Sequence, residues 1–212
     1  MNSLKSTSLP PLVLASGSAI RKRLLKNAQL PVITLLPNFD EGAKEAFSAE
    51  ETARFNAEGK AKSVYLRALE TYGQEVIVIG SDQVCCLASG EQLHKPGTTE
   101  NAIKQLSQAS GQLLTFTTSL ALMVGHQIHT SLTTECRVKL RDLDHSEICE
   151  YVAADQPLAS AGSFHAEGAG QRLIESIETE DINILYGLPL LALLKALRDL
   201  DRVPGYSLPN QS

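Results

Sequence analysis

The spacing of apolar positions changes several times along the chain, and each change marks an element. Leu12-Val13-Leu14-Ala15 is a short continuous apolar run, the pattern of a strand buried on both faces. Leu24 and Leu25 then follow Ile20 at helical spacing up to Ala28, with Ser18 placed as an N-cap. Residues 31–36 return to a strand pattern, and Pro37-Asn38-Phe39-Asp40-Glu41-Gly42 reads as a loop. Behind Ser48, a stretch dominated by Ala, Glu, Lys and Arg predicts a long helix over 49–71. Residues 74–87 hold the run Val76-Ile77-Val78-Ile79, which leads through Gly80-Ser81 to Asp82 and predicts a buried strand with Asp82 at its exit. After a turn at Ala88-Ser89-Gly90-Glu91, Thr99 is the expected cap of a helix ending at 109. Residues 113–124 and 127–140 pair as an antiparallel hairpin around Gly125-His126. Asp144 caps a helix to 154 that Pro157 stops, and 161–170 is a small, glycine-rich segment suited to a hinge or a boundary between lobes. A short strand over 173–177 and an amphipathic helix over 188–200 complete the series. Strands and helices that alternate early around a central hairpin predict an α/β fold, a mixed sheet with helices on its faces.

Length and charge narrow this picture. With 212 residues and 43% hydrophobic positions, the chain is long enough for a substantial core. Residues 1–9 read as a disordered lead, 10–205 as a single domain and 206–212 as a tail. The net charge of −5 speaks against nucleic acid or an anionic membrane as partner, so an anionic ligand needs a local positive pocket. No apolar run approaches the ~18 residues of a membrane span. Cys85, Cys86, Cys136 and Cys149 form no CxxC pair and read as reduced thiols of a cytoplasmic protein. Cys85 and Cys86 on a strand read as packing residues, and His126 and His129 near the hairpin turn as exposed polar ones.

Candidate chemistry gathers at the turns. Ser16-Gly17-Ser18 lies between strand and helix, where small residues let backbone N–H groups approach a phosphate, and Arg21 in the first helical turn can fork onto its oxygens. Asp40-Glu41 reads either as a divalent-metal site or as a polar turn. Lys60 borders the buried face of the long helix, and Lys95 sits on the stiff His94-Lys95-Pro96 turn. Taken together, Asp82 and Glu41 suit Mg²⁺, and Arg21, Lys60 and Lys95 suit the phosphates bound to it. One carboxylate is then free to take a proton from an attacking water.

In this order, these segments resemble the Maf family of nucleoside triphosphate pyrophosphatases from about Leu12 to Leu200. The matches are Ala15-Ser16-Gly17-Ser18-Ala19-Ile20-Arg21, Asp40-Glu41, Gly59-Lys60-Ala61, Gly80-Ser81-Asp82 and Lys95-Pro96. Residues 106–111, Ala161-Gly162-Ser163-Phe164 and Gly187-Leu188-Pro189-Leu190 complete the set. The resemblance implies a Maf/ITPase-like mixed sheet with two lobes around a central cleft. It also implies attack of water on the α-phosphorus of a nucleotide, a divalent cation (Mg²⁺ or Mn²⁺) on Glu41 and Asp82, and a homodimer as one assembly. Asp82, Glu41, Lys60 and Lys95 would be catalytic, with Asp82 accepting the proton. Ser16, Ser18, Ile20, Arg21, Gln83 and Glu167 would bind substrate. Ser81-Asp82-Gln83-Val84-Cys85 and Ser163-Phe164-His165-Ala166-Glu167-Gly168 look like the branch that hydrolyses 7-methyl-GTP, a nucleotide-pool sanitising role. The dTTP/UTP branch typically has Ala-Asp-Thr and a Gln in place of Glu167. A carboxylate suits the N1–H and amine of guanine, and a cationic N7-methylated base, better than an amide. Ala19 stands where the family has Pro, Ile20 where it has Arg or an aromatic, and His94 where it has Gly. A dTTP/UTP or modified-pyrimidine pyrophosphatase, and a non-catalytic nucleotide-binding regulator of septum formation, are the alternative readings.

Overall fold

The computed structural model describes residues 10–41 and 47–201, so the predicted lead, the tail and Gly42 lie outside the described residues. Among the described residues six strands build one sheet. β1 (Leu12–Leu14), β2 (Val32–Thr34) and β3 (Ile77–Cys86) run parallel, and β4 (Leu113–Val124), β5 (Gln127–Leu140) and β6 (Ile174–Glu178) extend the sheet antiparallel, in the order β2-β1-β3-β4-β5-β6. The helices are α1 (Ala19–Asn27), α2 (Ala49–Tyr72), α3 (Thr99–Ala109), α4 (His145–Asp155) and α5 (Leu190–Asp199).

The two-residue period of β3 explains how helices cover both faces. Ile77 and Ile79 pack with Leu25 of α1 and Leu193 and Leu197 of α5, whereas Val76 and Val78 pack with Val64, Tyr65 and Ala68 of α2. Ile77, Ile79 and Leu25 are fully buried, which stabilises the fold by about 1.5–3 kcal/mol for each side chain. A separate core forms toward the other end of the sheet, where Leu106 of α3, Ile148 and Val152 of α4, Phe116 and Phe164 meet. The two cores on the faces of β3 make one lobe and this separate core the other, on one continuous sheet.

Most predicted elements are present with small shifts at their ends, and the hairpin bounds agree. The cap of α3 is Thr98 rather than Thr99; its side chain accepts from the Asn101 amide at 3.2 Å. Asp82 is not at a strand exit. β3 continues past it to Cys86 and pairs it with Ser119 on β4. The strand that stops is β1, whose last partner on β3 is Ile79. The chain then turns away through Ser16-Gly17, leaving β3 one open edge beside Asp82. On its other edge β3 stays paired with β4 from Val78 to Cys86.

The first residues of the segment over 161–170 pack into the second lobe. Gly162 has φ +75°, and a Cβ there would press on Cys85 Sγ at 3.1 Å and the Phe116 ring at 3.3 Å. Gly162, Ser163 and Phe164 are buried.

Candidate functional site

Two close approaches build the centre. A Cβ on Gly80 would lie 2.1 Å from the Ala57 carbonyl oxygen, so only glycine lets α2 pack this tightly on β3. That brings successive turns of α2 against Asp82. Lys60 Nζ lies 2.6 Å from Asp82 Oδ1, and Asn56 Nδ2 donates to Asp82 Oδ2 at 2.9 Å. The second approach is at Gly59, where a Cβ would meet the Phe39 ring at 2.2 Å. Phe39 therefore seats on the helix and carries Glu41 inward. Lys60 Nζ is 3.1 Å from Glu41 Oε1, and Lys95 Nζ is 4.0 Å from Glu41 Oε2. Lys60, Asn56 and Asp82 are buried and Glu41 is exposed, so the buried ammonium has a carboxylate on either side.

Asn56 was not among the predicted site residues. Its signal lay in the helix pattern: Thr52, Asn56 and Lys60 recur every four residues on the stripe that also buries Ala53, Ala57, Ala61 and Val64. Polar residues on a buried stripe need partners. Asn56 Oδ1 and Thr52 Oγ1 are buried and have no hydrogen-bond partner among the described residues.

Arg21 is tied more to the protein than its predicted phosphate role requires. Nε donates to the Gly187 carbonyl at 2.7 Å, and Nη1 donates to the Ser81 carbonyl at 2.8 Å and to Ser16 Oγ at 3.3 Å. The guanidinium thereby joins α1, β3 and the turn before α5. Burial lowers its pKa from the ordinary value, and Asp82 and Glu41 offset this only in part. Its Nη2 edge has no bond to a described residue. Ser18 Oγ caps α1 by accepting from the Arg21 amide at 3.4 Å, and Ser16 Oγ accepts from the Ser18 amide at 3.1 Å. Gln83 spends its amide nitrogen on the Ile184 carbonyl at 2.7 Å and on Thr118 Oγ1 at 3.0 Å, so only its Oε1 is open to a ligand.

All ten predicted site residues line one cavity of about 600 Å³: Ser16, Ser18, Ile20, Arg21, Glu41, Lys60, Asp82, Gln83, Lys95 and Glu167. A neighbouring compartment of about 550 Å³ shares Glu41, Asp82, Gln83 and Lys95 and adds Thr52, Asn56 and His94. The cysteines take no part in the polar centre. Burial pushes the Cys85 thiol well up and the Cys136 thiol to about 11, so neither is a nucleophile near neutral pH.

The oxygen donors fit a hard divalent cation. Glu41 and Asp82 already converge on one cationic atom, Lys60 Nζ, and the partnerless oxygens of Asn56 and Thr52 border the same compartment. Among the described residues no group of three or more His, Cys, Asp or Glu could hold a metal. Two carboxylates completed by phosphate oxygens and water are the usual arrangement for Mg²⁺.

The fold and this mixed-charge cleft define an α/β protein with a candidate active site where α2 packs on β3. Residues 11–200 match the family described as Maf-like protein, and the chain belongs to that family. It is 43% identical over 192 residues to a Pseudomonas aeruginosa protein named 7-methyl-GTP pyrophosphatase, covering 89% of this chain and 96% of that one. A Vibrio vulnificus protein of the same name is 41% identical over 187 residues, covering 88% and 93%. Among solved structures, the Staphylococcus aureus Ham1 protein is similar over 76% of this chain and 90% of its own, with 17% identity and a TM-score of 0.42. Among the described residues no helix is long and apolar enough to cross a membrane.

Proposed function

We propose that the protein is a cytoplasmic nucleoside triphosphate pyrophosphatase that hydrolyses 7-methyl-GTP to the monophosphate and pyrophosphate. The observation that carries this reading is the buried Lys60–Asp82–Asn56 cluster, which opens on a cavity that also holds Glu41, Lys95 and Glu167. The names of the relatives above supply the substrate, and Glu167 supplies a chemical reason for it. A carboxylate accepts from the N1–H and amine of guanine and offsets the positive charge of an N7-methylated base.

The geometry supports one set of roles. Asp82, oriented by Lys60 and Asn56, accepts the proton of the attacking water at a carboxylate oxygen. Lys60, Lys95 and the free edge of Arg21 stabilise charge on the phosphates and on the departing pyrophosphate. Ile20 and Gln83 line the cavity for the nucleoside, and Ser16 and Ser18 shape the turn that faces the phosphates. Glu41 and Asp82 would hold Mg²⁺ or Mn²⁺, which when bound neutralises phosphate charge.

The test is pyrophosphate release from a panel of 7-methyl-GTP, GTP, dTTP and UTP with Mg²⁺ or Mn²⁺. Asp82→Asn should lower kcat by about 10²–10⁴-fold while the circular dichroism spectrum is retained. Preference for dTTP or UTP would overturn the base assignment, and a folded protein that turns over no nucleotide would instead be a binding regulator. A fully active Asp82→Asn enzyme would remove Asp82 from the proton-transfer role.

A further inference from the structure

Beside Glu167 lies a closed hydrogen-bond triangle that the reaction does not use. Tyr151, buried in the second lobe, donates its hydroxyl to Asp155 Oδ2 at 2.7 Å and accepts from the His165 amide at 2.9 Å. His165 Nδ1 is 2.8 Å from the same carboxylate oxygen. Burial and the Asp155 carboxylate raise the Tyr151 pKa far above its ordinary value, so its hydroxyl keeps the proton it donates. The backbone is pinned as well. The Gly168 amide donates to the His165 carbonyl at 3.1 Å, and a Cβ on Gly170 would lie 2.6 Å from that oxygen.

This fixes the tautomer of the neutral ring. A carboxylate only accepts, so Nδ1 carries the proton, and the neutral imidazole then has its lone pair on Nε2. Nε2 has no partner among the described residues, the side chain is 30% exposed, and the ring lines the 600 Å³ cavity together with Glu167 and Ile20. Two acceptors two residues apart thus border the same space. Pyrimidines of the dTTP/UTP type offer acceptor carbonyls at O2 and O4 and a single N–H between them. Guanine offers N1–H and both hydrogens of its 2-amino group on one edge.

We propose that His165 is a specificity-determining residue. Its Nε2 accepts one hydrogen of the 2-amino group, while Glu167 takes the other together with N1–H. This inference rests on the proposed guanine-type substrate and deepens it. Tyr151 and Asp155 are positioning residues that hold the imidazole in the acceptor tautomer.

The experiment compares kcat/KM for 7-methyl-GTP with that for 7-methyl-ITP, which lacks the 2-amino group, in the wild type, His165→Phe and His165→Gln. The wild type should prefer 7-methyl-GTP by at least about tenfold, and His165→Phe should cut that ratio by about fivefold, the usual worth of one hydrogen bond. His165→Gln, which returns an amide oxygen near the Nε2 position, should restore part of the ratio. A general packing defect would lower both substrates together and leave the ratio alone. Should His165→Phe fail to fold, the wild-type ratio and that of His165→Gln still decide the matter. A wild-type enzyme that hydrolyses both nucleotides equally well, or variants that keep the wild-type ratio, would overturn the role of His165 and leave the proposed function standing. A wild type inactive on 7-methyl-GTP would overturn both.

Discussion

At the scale of single residues, the centre depends on what surrounds Asp82 more than on Asp82 itself. Its two oxygens each meet a donor from α2, a cation at 2.6 Å and an amide at 2.9 Å. Hydrogen bonds to an ionised group are worth about 1.5–3 kcal/mol. Asn56→Leu keeps the bulk on the buried stripe and removes the donor, so kcat/KM should fall by about 10–100-fold, read in steady-state assays beside a thermal melt. An Asn56→Leu enzyme with unchanged kcat/KM would show that Lys60 alone orients the carboxylate. The family motifs made Asp82, Glu41, Lys60 and Lys95 legible in the sequence, because each stands in a short recognisable string. Asn56 belongs to no such string, and an asparagine inside a helix reads as solvated until the neighbouring strand is known.

Among elements, the decisive contact is α2 on β3, and Gly80 controls it. A methyl group at Gly80 would sit 2.1 Å from a backbone oxygen that has no side-chain freedom to yield. Gly80→Ala should therefore destabilise the protein by about 1–3 kcal/mol and displace Asn56 and Lys60 together, lowering activity beyond what the stability loss explains. Gly90 is the control. It has φ +87° and open space around it, so Gly90→Ala should carry only the backbone cost of about 1 kcal/mol and keep kcat/KM. Urea denaturation and initial rates on both variants check this. Equal losses of activity in the two would remove the special place of the α2–β3 contact. The same contact explains where sequence reading fell short. The apolar run before Asp82 marks a buried strand correctly, but nothing in that run says which neighbouring strand stops first. Whether Asp82 ends β3 or faces the gap left by β1 depends on pairing with β4, far away in sequence. Hairpin bounds, by contrast, come from Gly125-His126 and the strands on either side, all local in sequence, and they agree.

At the scale of the whole molecule, three buried apolar clusters among the described residues hold the sheet and its helices together. Lys60 already lies against both carboxylates that would bind a divalent cation, and Lys95 adds a second positive charge 4.0 Å from Glu41. The metal-free state thus has no pair of bare, repelling acids to relieve, unlike a structural zinc site, whose binding energy is its folding energy. Removing the cation should abolish turnover and leave the fold intact. In EDTA, pyrophosphate release should vanish and return on adding Mg²⁺ or Mn²⁺. The Tm should move by no more than about 2 °C, since 1 kcal/mol corresponds to about 2–4 °C for a chain of this size. Calorimetry with and without chelator reads the second half of this expectation independently of the first. A fall in Tm of about 10 °C would mean that the cation is part of the architecture and that the Lys60 bridge is too weak to stand in for it. Unchanged turnover in EDTA would take the metal out of the mechanism and leave Lys60, Lys95 and Arg21 to carry the phosphate charge alone.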